Sequence, residues 1–174
     1  MPRTTRHVFR RTAAAVAVAA LAVVPLSACA IGFEAATTTQ RPSGNGANAD
    51  IGSIQMRGIT LVDGPDGSRT GTVVMALVNA GDEADTLTSV RMVQPPNGTA
   101  TIVGAGTAGG TLPLPRSSRV LVGYDSDVHV DISDLSLTPT QFTEIEFTFQ
   151  RAGRVTVPVM SVLPTGIYAG ITPL

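Results

Sequence analysis

The sequence predicts an N-terminal export signal followed by an all-β domain, which is a sandwich or a barrel. From Ile51 onward, short runs rich in β-branched residues alternate with Gly, Asp, Asn and Pro, a pattern typical of many short strands. No helical period extends beyond two turns in this part of the chain. The 146 residues from Cys29 to Leu174 are enough for one domain with a hydrophobic core.

The N-terminus has the three parts of a bacterial lipoprotein signal. A basic start is followed by a short apolar stretch, Ala13 to Val24, and by the lipobox sequence Leu26-Ser27-Ala28-Cys29. The apolar stretch is short for a membrane span. We therefore predict a signal peptide over residues 1–28, lipidation at Cys29 and attachment to the extracytoplasmic face of the cell membrane. The alternatives are an ordinary signal peptide with a chance cysteine and a short membrane anchor.

Composition excludes several functions. Four of the twelve arginines precede Cys29, and there is no lysine. The predicted mature chain therefore contains eight arginines and thirteen carboxylates, which gives a formal net charge of −5. This balance argues against nucleic acid as a partner. Only one histidine, His129, follows the signal, and the only cysteine is the predicted lipidation site. General-base and nucleophilic catalysis usually need such groups in pairs, so we predict that the protein is not an enzyme.

The rest of the chain divides into a tether, a domain and a tail. Residues 29–50 are rich in Ala, Thr, Gly, Asn and Ser and are predicted to be a lipidated flexible tether. Residues 51–164 form the predicted domain, and residues 165–174 form an apolar C-terminal tail that we expect to dock on the domain or on a partner. The predicted strands lie near 51–62, 70–79, 86–93, 98–103, 118–123, 127–133, 141–150 and 153–161.

Three of these strands carry more specific predictions. The strand near 70–79 is apolar on both faces from Val73 to Val78, so it should be central. Along 141–150, Ile145, Phe147 and Phe149 alternate with polar residues and should point into the core. Pro158 has no N–H to donate, so the last strand should lie at an edge, or at least expose that position.

Four stretches, in this order, resemble the periplasmic copper chaperone family PCu(A)C, and in particular its actinobacterial lipoproteins. They are Thr72–Gly81, Ala84–Val90, Gly110–Pro115 and Phe147–Val159. The resemblance implies a cupredoxin-like β-sandwich. It also implies copper as the candidate cofactor, bound as Cu(I) by two His and two Met, one pair of which forms a His-x-Met motif on a strand.

This chain departs from that ligand set. In Val128-His129-Val130-Asp131-Ile132, Asp131 stands where the family has the methionine of its His-x-Met motif. The segment 98–110, where the other His and Met are expected, contains neither residue. At most one of the four family ligands is therefore retained.

Two interpretations of His129 remain open. On a strand, His129 and Asp131 project from one face and could hold Zn(II) or Cu(II), for which imidazole and carboxylate are suitable ligands. Alternatively, His129 is an exposed histidine on an acidic rim with Asp125, Asp127 and Asp134 nearby in the sequence. The sequence thus predicts an envelope lipoprotein that binds a protein partner, or else a divergent metal-binding or metal-delivery protein.

Overall fold

The structure, a computed structural model, describes residues 46–66, 68–124, 126–137 and 140–173. The predicted signal peptide, Cys29 and most of the predicted tether lie outside the described residues. No helix in the described ranges is long and apolar enough to cross a membrane. The strands are β1 (Ala47–Ile51), β2 (Ile54–Asp63), β3 (Gly71–Asn79), β4 (Asp85–Gln94), β5 (Thr99–Gly104), β6 (Leu112–Leu114), β7 (Ser118–Val122), β8 (Val128–Ser133), β9 (Phe142–Phe149) and β10 (Gly153–Val162).

The strands form two sheets around one core. The first has the order β5-β8-β3-β2, with β1 paired to β2 and β7 paired to β3. The second has the order β10-β9-β4-β6. All ladders are antiparallel except the short parallel one that joins the sheets, in which Ser161 and Val162 of β10 pair with Leu61 and Val62 of β2. Every strand contributes a buried residue to the core between the sheets.

The distribution of apolar residues along two strands, β3 and β9, correctly predicts how these strands are placed. β3 pairs with β2, β7 and β8, and its residues Gly71 to Met75 are all buried, so this strand is central as predicted. On β9, Ile145, Phe147 and Phe149 are 0–2% exposed, which confirms that this face points into the core.

The strand that contains Pro158 is an edge of the second sheet along most of its length. β10 pairs with β9 from Gly153 to Met160, but it pairs with β2 only at Ser161 and Val162. Pro158 therefore lies before the ladder with β2 begins, where a missing N–H breaks no such pairing. This confirms the prediction for the last strand.

The structure corrects the predicted beginning of the domain. Residues 51–62 do not form one strand, because Gly52 and Ser53 make a turn with a positive φ of 54° at Gly52. The turn joins β1 to β2 as a hairpin in which Ile51 faces Ile54. The predicted tether, residues 29–50, was therefore drawn too long, because Ala47 to Asp50 belong to β1. The three-residue strand β6 was also not predicted.

The C-terminal tail packs on the outer face of the first sheet. Ile171 is 8% exposed and belongs to a second apolar cluster with Val62 of β2 and Val74 of β3. Tyr168, at the end of the short 3-10 helix Gly166–Tyr168, and Tyr124 pack against this cluster. The prediction that the tail docks is thus confirmed, although Ile167 remains 70% exposed.

Candidate metal site

The two predicted site residues lie together on β8. This strand is held between β3, where Thr72 faces Asp131, and β5, where Val103 faces His129. The intervening residues of β8 point into the core, and Val130 is fully buried. Strand alternation therefore places His129 and Asp131 on the opposite, outer face. His129 Nδ1 lies 3.9 Å from Asp131 Oδ1, so the prediction that both project from one face is correct.

His129 is buried, and the alternative of an exposed histidine is therefore wrong. The residue is 9% exposed, and its Nε2 lies 3.0 Å from the carbonyl oxygen of Ser126. Ser126 is fixed in turn, since its hydroxyl donates to the carbonyl of Leu121 at 2.8 Å and accepts from the N–H of Val128 at 3.1 Å. The segment before β8 folds back against the imidazole and shields it from solvent.

Asp131 is also largely shielded. Its side chain is 15% exposed, and its Oδ1 accepts a hydrogen bond of 2.8 Å from the Thr72 hydroxyl. Thr72 is fully buried on the central strand. Sequence reasoning missed this contact, because Thr72 precedes an apolar run and nothing local shows that it will face a carboxylate 59 residues later.

One polar atom of the pair is left without a protein partner. His129 Nδ1 is buried and has no hydrogen-bond partner within the described residues. A neutral ring whose Nε2–H donates to Ser126 O has a lone pair on Nδ1, on the side of the Asp131 carboxylate. A metal ion at this position would have an imidazole nitrogen and a carboxylate oxygen as ligands.

The other acidic residues near His129 in sequence do not complete a larger cluster. Asp127 and Asp134 are exposed, and Asp125 lies outside the described residues. Within the described ranges no group of three or more His, Cys, Asp or Glu side chains could hold a metal ion. The site in this part of the chain consists of one imidazole and one carboxylate.

The methionines do not add a soft ligand next to this pair. Met56, Met75 and Met92 are 0–3% exposed and belong to the core between the sheets. This confirms the prediction that Met75 fills the core. Met160, on β10, is only partly buried. A site of one nitrogen and one hard oxygen does not fit Cu(I), which prefers thioether and imidazole ligands.

The two available donors suit Zn(II) or Cu(II) better than Cu(I). A tetrahedral zinc ion with ligand distances of about 2.1 Å places its donor atoms roughly 3.4 Å apart. The present separation of 3.9 Å is therefore slightly too wide, and a small side-chain rotation would close it. Two protein ligands alone give weak binding, because structural metal sites usually have four.

Comparison with known proteins identifies the fold. No protein-family model matches the chain, and no curated protein matches it. Among solved structures, the chain is similar to the copper-bound PCuAC domain from PmoF2, with 24% identity, a TM-score of 0.59, and coverage of 67% of this chain and 98% of that domain. The apo form of the same domain is 23% identical with a TM-score of 0.60, covering 70% and 99% of the two chains.

The apo PCuAC domain from PmoF1 is also similar, with 21% identity, a TM-score of 0.59, and coverage of 67% and 99%. At these identities the similarity shows the fold alone. The predicted all-β, cupredoxin-like sandwich is confirmed.

Proposed function

We propose that this chain is a lipid-anchored, non-catalytic lipoprotein of the cell envelope, similar to the actinobacterial LpqE, with a copper-chaperone-like sandwich that has lost most of its His/Met copper site. In this proposal it acts as a binding or interaction module for an envelope protein partner, at the extracytoplasmic face of the membrane. The lipobox at Cys29 supports the anchor, and the shared fold with PCuAC domains supports the scaffold.

The proposed loss of the copper site rests on the ligand types and hydrogen bonds of His129 and Asp131 on β8. Asp131 supplies a hard oxygen where the family has a soft thioether, and the Thr72 hydroxyl already binds this oxygen. His129 uses its Nε2 for the Ser126 carbonyl. Asp131 thus has a structural contact with β3 and His129 has one with the segment before β8, and their donor set does not suit Cu(I).

A Cu(I) competition experiment tests this proposal. The chain from residue 29, with Cys29→Ala to remove the thiol, is titrated against the Cu(I) chelator bicinchoninate, alongside His129→Gln. We expect the chelator to retain the Cu(I) with both proteins. As a matched gain-of-ligand control, Asp131→Met recreates His-x-Met and should raise the affinity for Cu(I). Tight stoichiometric Cu(I) binding by the chain with the native Asp131, whether or not it needs His129, would contradict the proposal.

A second candidate function is divergent metal binding or delivery through His129 and Asp131. The observation that favours it is the buried Nδ1 of His129, which has no hydrogen-bond partner within the described residues and faces Asp131. A Zn(II) or Cu(II) ion bound to Nδ1 would give this nitrogen a partner, with the Asp131 carboxylate as the second ligand. The copper-bound neighbour is consistent with this candidate in fold, but its ligand set differs from the pair described here.

Calorimetric titration with Zn(II) and with Cu(II) distinguishes the two functions. If the second candidate is correct, binding is lost in His129→Gln and in Asp131→Asn, and it is unchanged in Asp127→Asn, an exposed carboxylate that serves as the control. Absence of binding in the unsubstituted chain leaves the interaction module as the function.

A further inference from the structure

A groove on the outer face of the first sheet has a composition unlike that of the rest of the domain. It has a volume of about 310 Å³, and β2, β3 and β7 contribute its floor while Tyr124 and the 3-10 helix contribute its wall. We call it the Arg–Tyr groove after its main polar residues, which are Arg57, Arg119, Tyr124 and Tyr168. Ala76 and Leu121, which face each other across β3 and β7, add apolar surface.

A bulge in β2 places Arg57 in the groove. The register between β2 and β3 shifts between Arg57 and Thr60, and Gly58 has a positive φ of 65°. Such bulges change the direction of the neighbouring side chain. Arg57 Nη1 donates to Asp50 Oδ1 at 2.5 Å, to the Ala49 carbonyl at 3.2 Å and to the Met56 carbonyl at 2.9 Å. These bonds fix the guanidinium. Its Nη2 and Nε have no acceptor among the described residues, so both can donate to a ligand.

Arg119 is the second positive charge of the groove, and it is not neutralised by any described residue. It lies on β7, is exposed, and has no ion pair or hydrogen bond with the residues that the structure describes. Asp50 compensates Arg57, but none of the described residues that line the groove is a carboxylate. In this part of the chain, Arg119 is therefore an uncompensated positive charge that lies in the same groove as the Arg57 guanidinium.

The positive charge of the groove is opposite in sign to the net charge of the domain. Another cavity, lined by Gly81 and Arg151, also has the carboxylates Asp82, Glu83 and Asp85. A third cavity contains Asp63 and Asp66. In a mature chain with thirteen acidic residues and eight arginines, the Arg–Tyr groove is thus a local site for an anion.

The two tyrosines give the groove an aromatic wall. The rings of Tyr124 and Tyr168 have their centroids 6.0 Å apart and are tilted by 35°. Burial, and to a smaller extent the neighbouring Tyr168, raises the pKa of Tyr124 to about 12. Its hydroxyl therefore stays protonated and does not add negative charge. Ile167, which is 70% exposed, lines the groove as well. Apolar and aromatic surface beside fixed cationic donors is the usual composition of a small-ligand site.

We propose that the Arg–Tyr groove binds a small organic acid, with its carboxylate at Arg119 and Arg57 and its apolar body against Tyr124, Tyr168 and Leu121. The volume of about 310 Å³ lies at the small end of the range for ligand pockets, about 300–1,000 Å³. A membrane surface is a less suitable occupant, because the groove is concave.

The two tyrosines provide a selective readout. The protein has two tyrosines and no tryptophan, and both tyrosines line the groove, so intrinsic fluorescence reports on this site alone. The protein is the chain from residue 29 with Cys29→Ala, which retains every described residue. The ligands are cyclohexanecarboxylate and its uncharged analogue cyclohexanecarboxamide, neither of which absorbs where tyrosine is excited.

We expect a saturable fluorescence change with the carboxylate. Arg119→Gln should weaken its binding by about twofold to fivefold, as expected for loss of one exposed charge contact. Arg116→Gln is the matched control, because Arg116 is exposed and lies outside the groove, and it should bind like the unsubstituted chain. The carboxamide should bind more weakly than the carboxylate, and Arg119→Gln should not change its affinity.

Three results would overturn the proposal. The first is equal affinity for the carboxylate and the carboxamide, and the second is equal affinity of Arg119→Gln and the unsubstituted chain for the carboxylate. The third comes from vesicles of phosphatidylglycerol. If these vesicles change the tyrosine signal in a way that needs Arg119, while cyclohexanecarboxylate does not change it, the groove faces a membrane instead of a small acid.

Discussion

Asp85, at the beginning of β4, is a buried carboxylate that organises one end of the sandwich. It is 7% exposed, and its two oxygens accept three backbone hydrogen bonds. The donors are the N–H groups of Thr86 at 2.7 Å, Arg151 at 2.9 Å and Ala152 at 2.9 Å. Residues 151 and 152 form the turn between β9 and β10, so one side chain connects β4 to the hairpin next to it.

Removing this carboxylate should destabilise the fold. Asp85→Ala leaves three backbone N–H groups without their partner, and we expect a loss of about 3 kcal/mol in the free energy of unfolding, measured by urea denaturation. Asp82→Ala, an exposed carboxylate that lines the same cavity, is the control and should change stability by less than about 0.5 kcal/mol. Similar losses in the two variants would show that Asp85 has no special structural role.

Asp63, at the end of β2, gives a prediction about pH. Burial raises the pKa of Asp63 above its ordinary value of 3.8, and the hydrogen bond from Ser161 partly offsets this. Ser161 donates to both carboxylate oxygens at 2.9 Å. A raised folded-state pKa means that the contribution of Asp63 to stability is full below 3.8 and is lost as the pH rises through the folded-state value.

Asp63→Asn should therefore gain stability relative to the unsubstituted protein as the pH rises from 3.8 towards neutrality. The amide oxygen can still accept from Ser161, but it has no charge to bury. Urea denaturation over this pH range measures the difference. Asp66→Asn, on the exposed loop that follows β2, controls for the general loss of a negative charge, and an equal trend in both variants would contradict the explanation.

At the scale of structural elements, the docked C-terminal tail leads to a prediction about stability. Its Ile171 covers Val62 and Val74 on the outer face of the first sheet, whereas Ile167 in the same tail is 70% exposed. Ile171→Ala should lower the free energy of unfolding by about 2 kcal/mol through loss of buried apolar contacts. Ile167→Ala is a matched control of the same chemistry and should have almost no effect. Equal stability of the two variants would show that the tail does not dock in solution.

The elements also show which features a sequence can predict. β9 and β10 were predicted almost to the residue, because alternation is a local pattern and one face of each strand is buried in the core. The hairpin of β1 and β2 was missed because the turn between Ile51 and Ile54 has only two residues, Gly52 and Ser53. β6 was missed because Leu112-Pro113-Leu114 is too short to show a period, and its pairing with β4 is a long-range contact.

At the scale of the whole molecule, the candidate site also has features that follow from local sequence patterns and features that depend on long-range contacts. The common direction of His129 and Asp131 follows from strand geometry, so the sequence predicts it. Their burial does not, because it depends on Ser126 folding back on the imidazole and on Thr72 arriving from another strand. The Arg–Tyr groove is also invisible in the sequence, since it brings β2, β3, β7 and the tail together.

The predicted lipid anchor would attach the domain to the membrane. The Leu26-Ser27-Ala28-Cys29 lipobox predicts that cleavage makes Cys29 the first residue and that diacylglycerol modifies its sulfur. Two or more buried acyl chains anchor a protein stably, whereas one chain gives marginal binding. In the proposed function, this anchor would hold the sandwich at the extracytoplasmic surface.

Cys29→Ala should therefore release the protein from the membrane fraction or leave it unprocessed, and the mass of the purified protein should show no lipid. Membrane fractionation and intact-mass spectrometry of the unsubstituted protein and the variant test this prediction. Ser27→Ala keeps a small residue in the lipobox and is the control, which should be lipidated and membrane-bound. If the unsubstituted protein fractionates as soluble and its N-terminus has no lipid mass, the anchor is wrong, and the domain would then have to reach any envelope partner by diffusion.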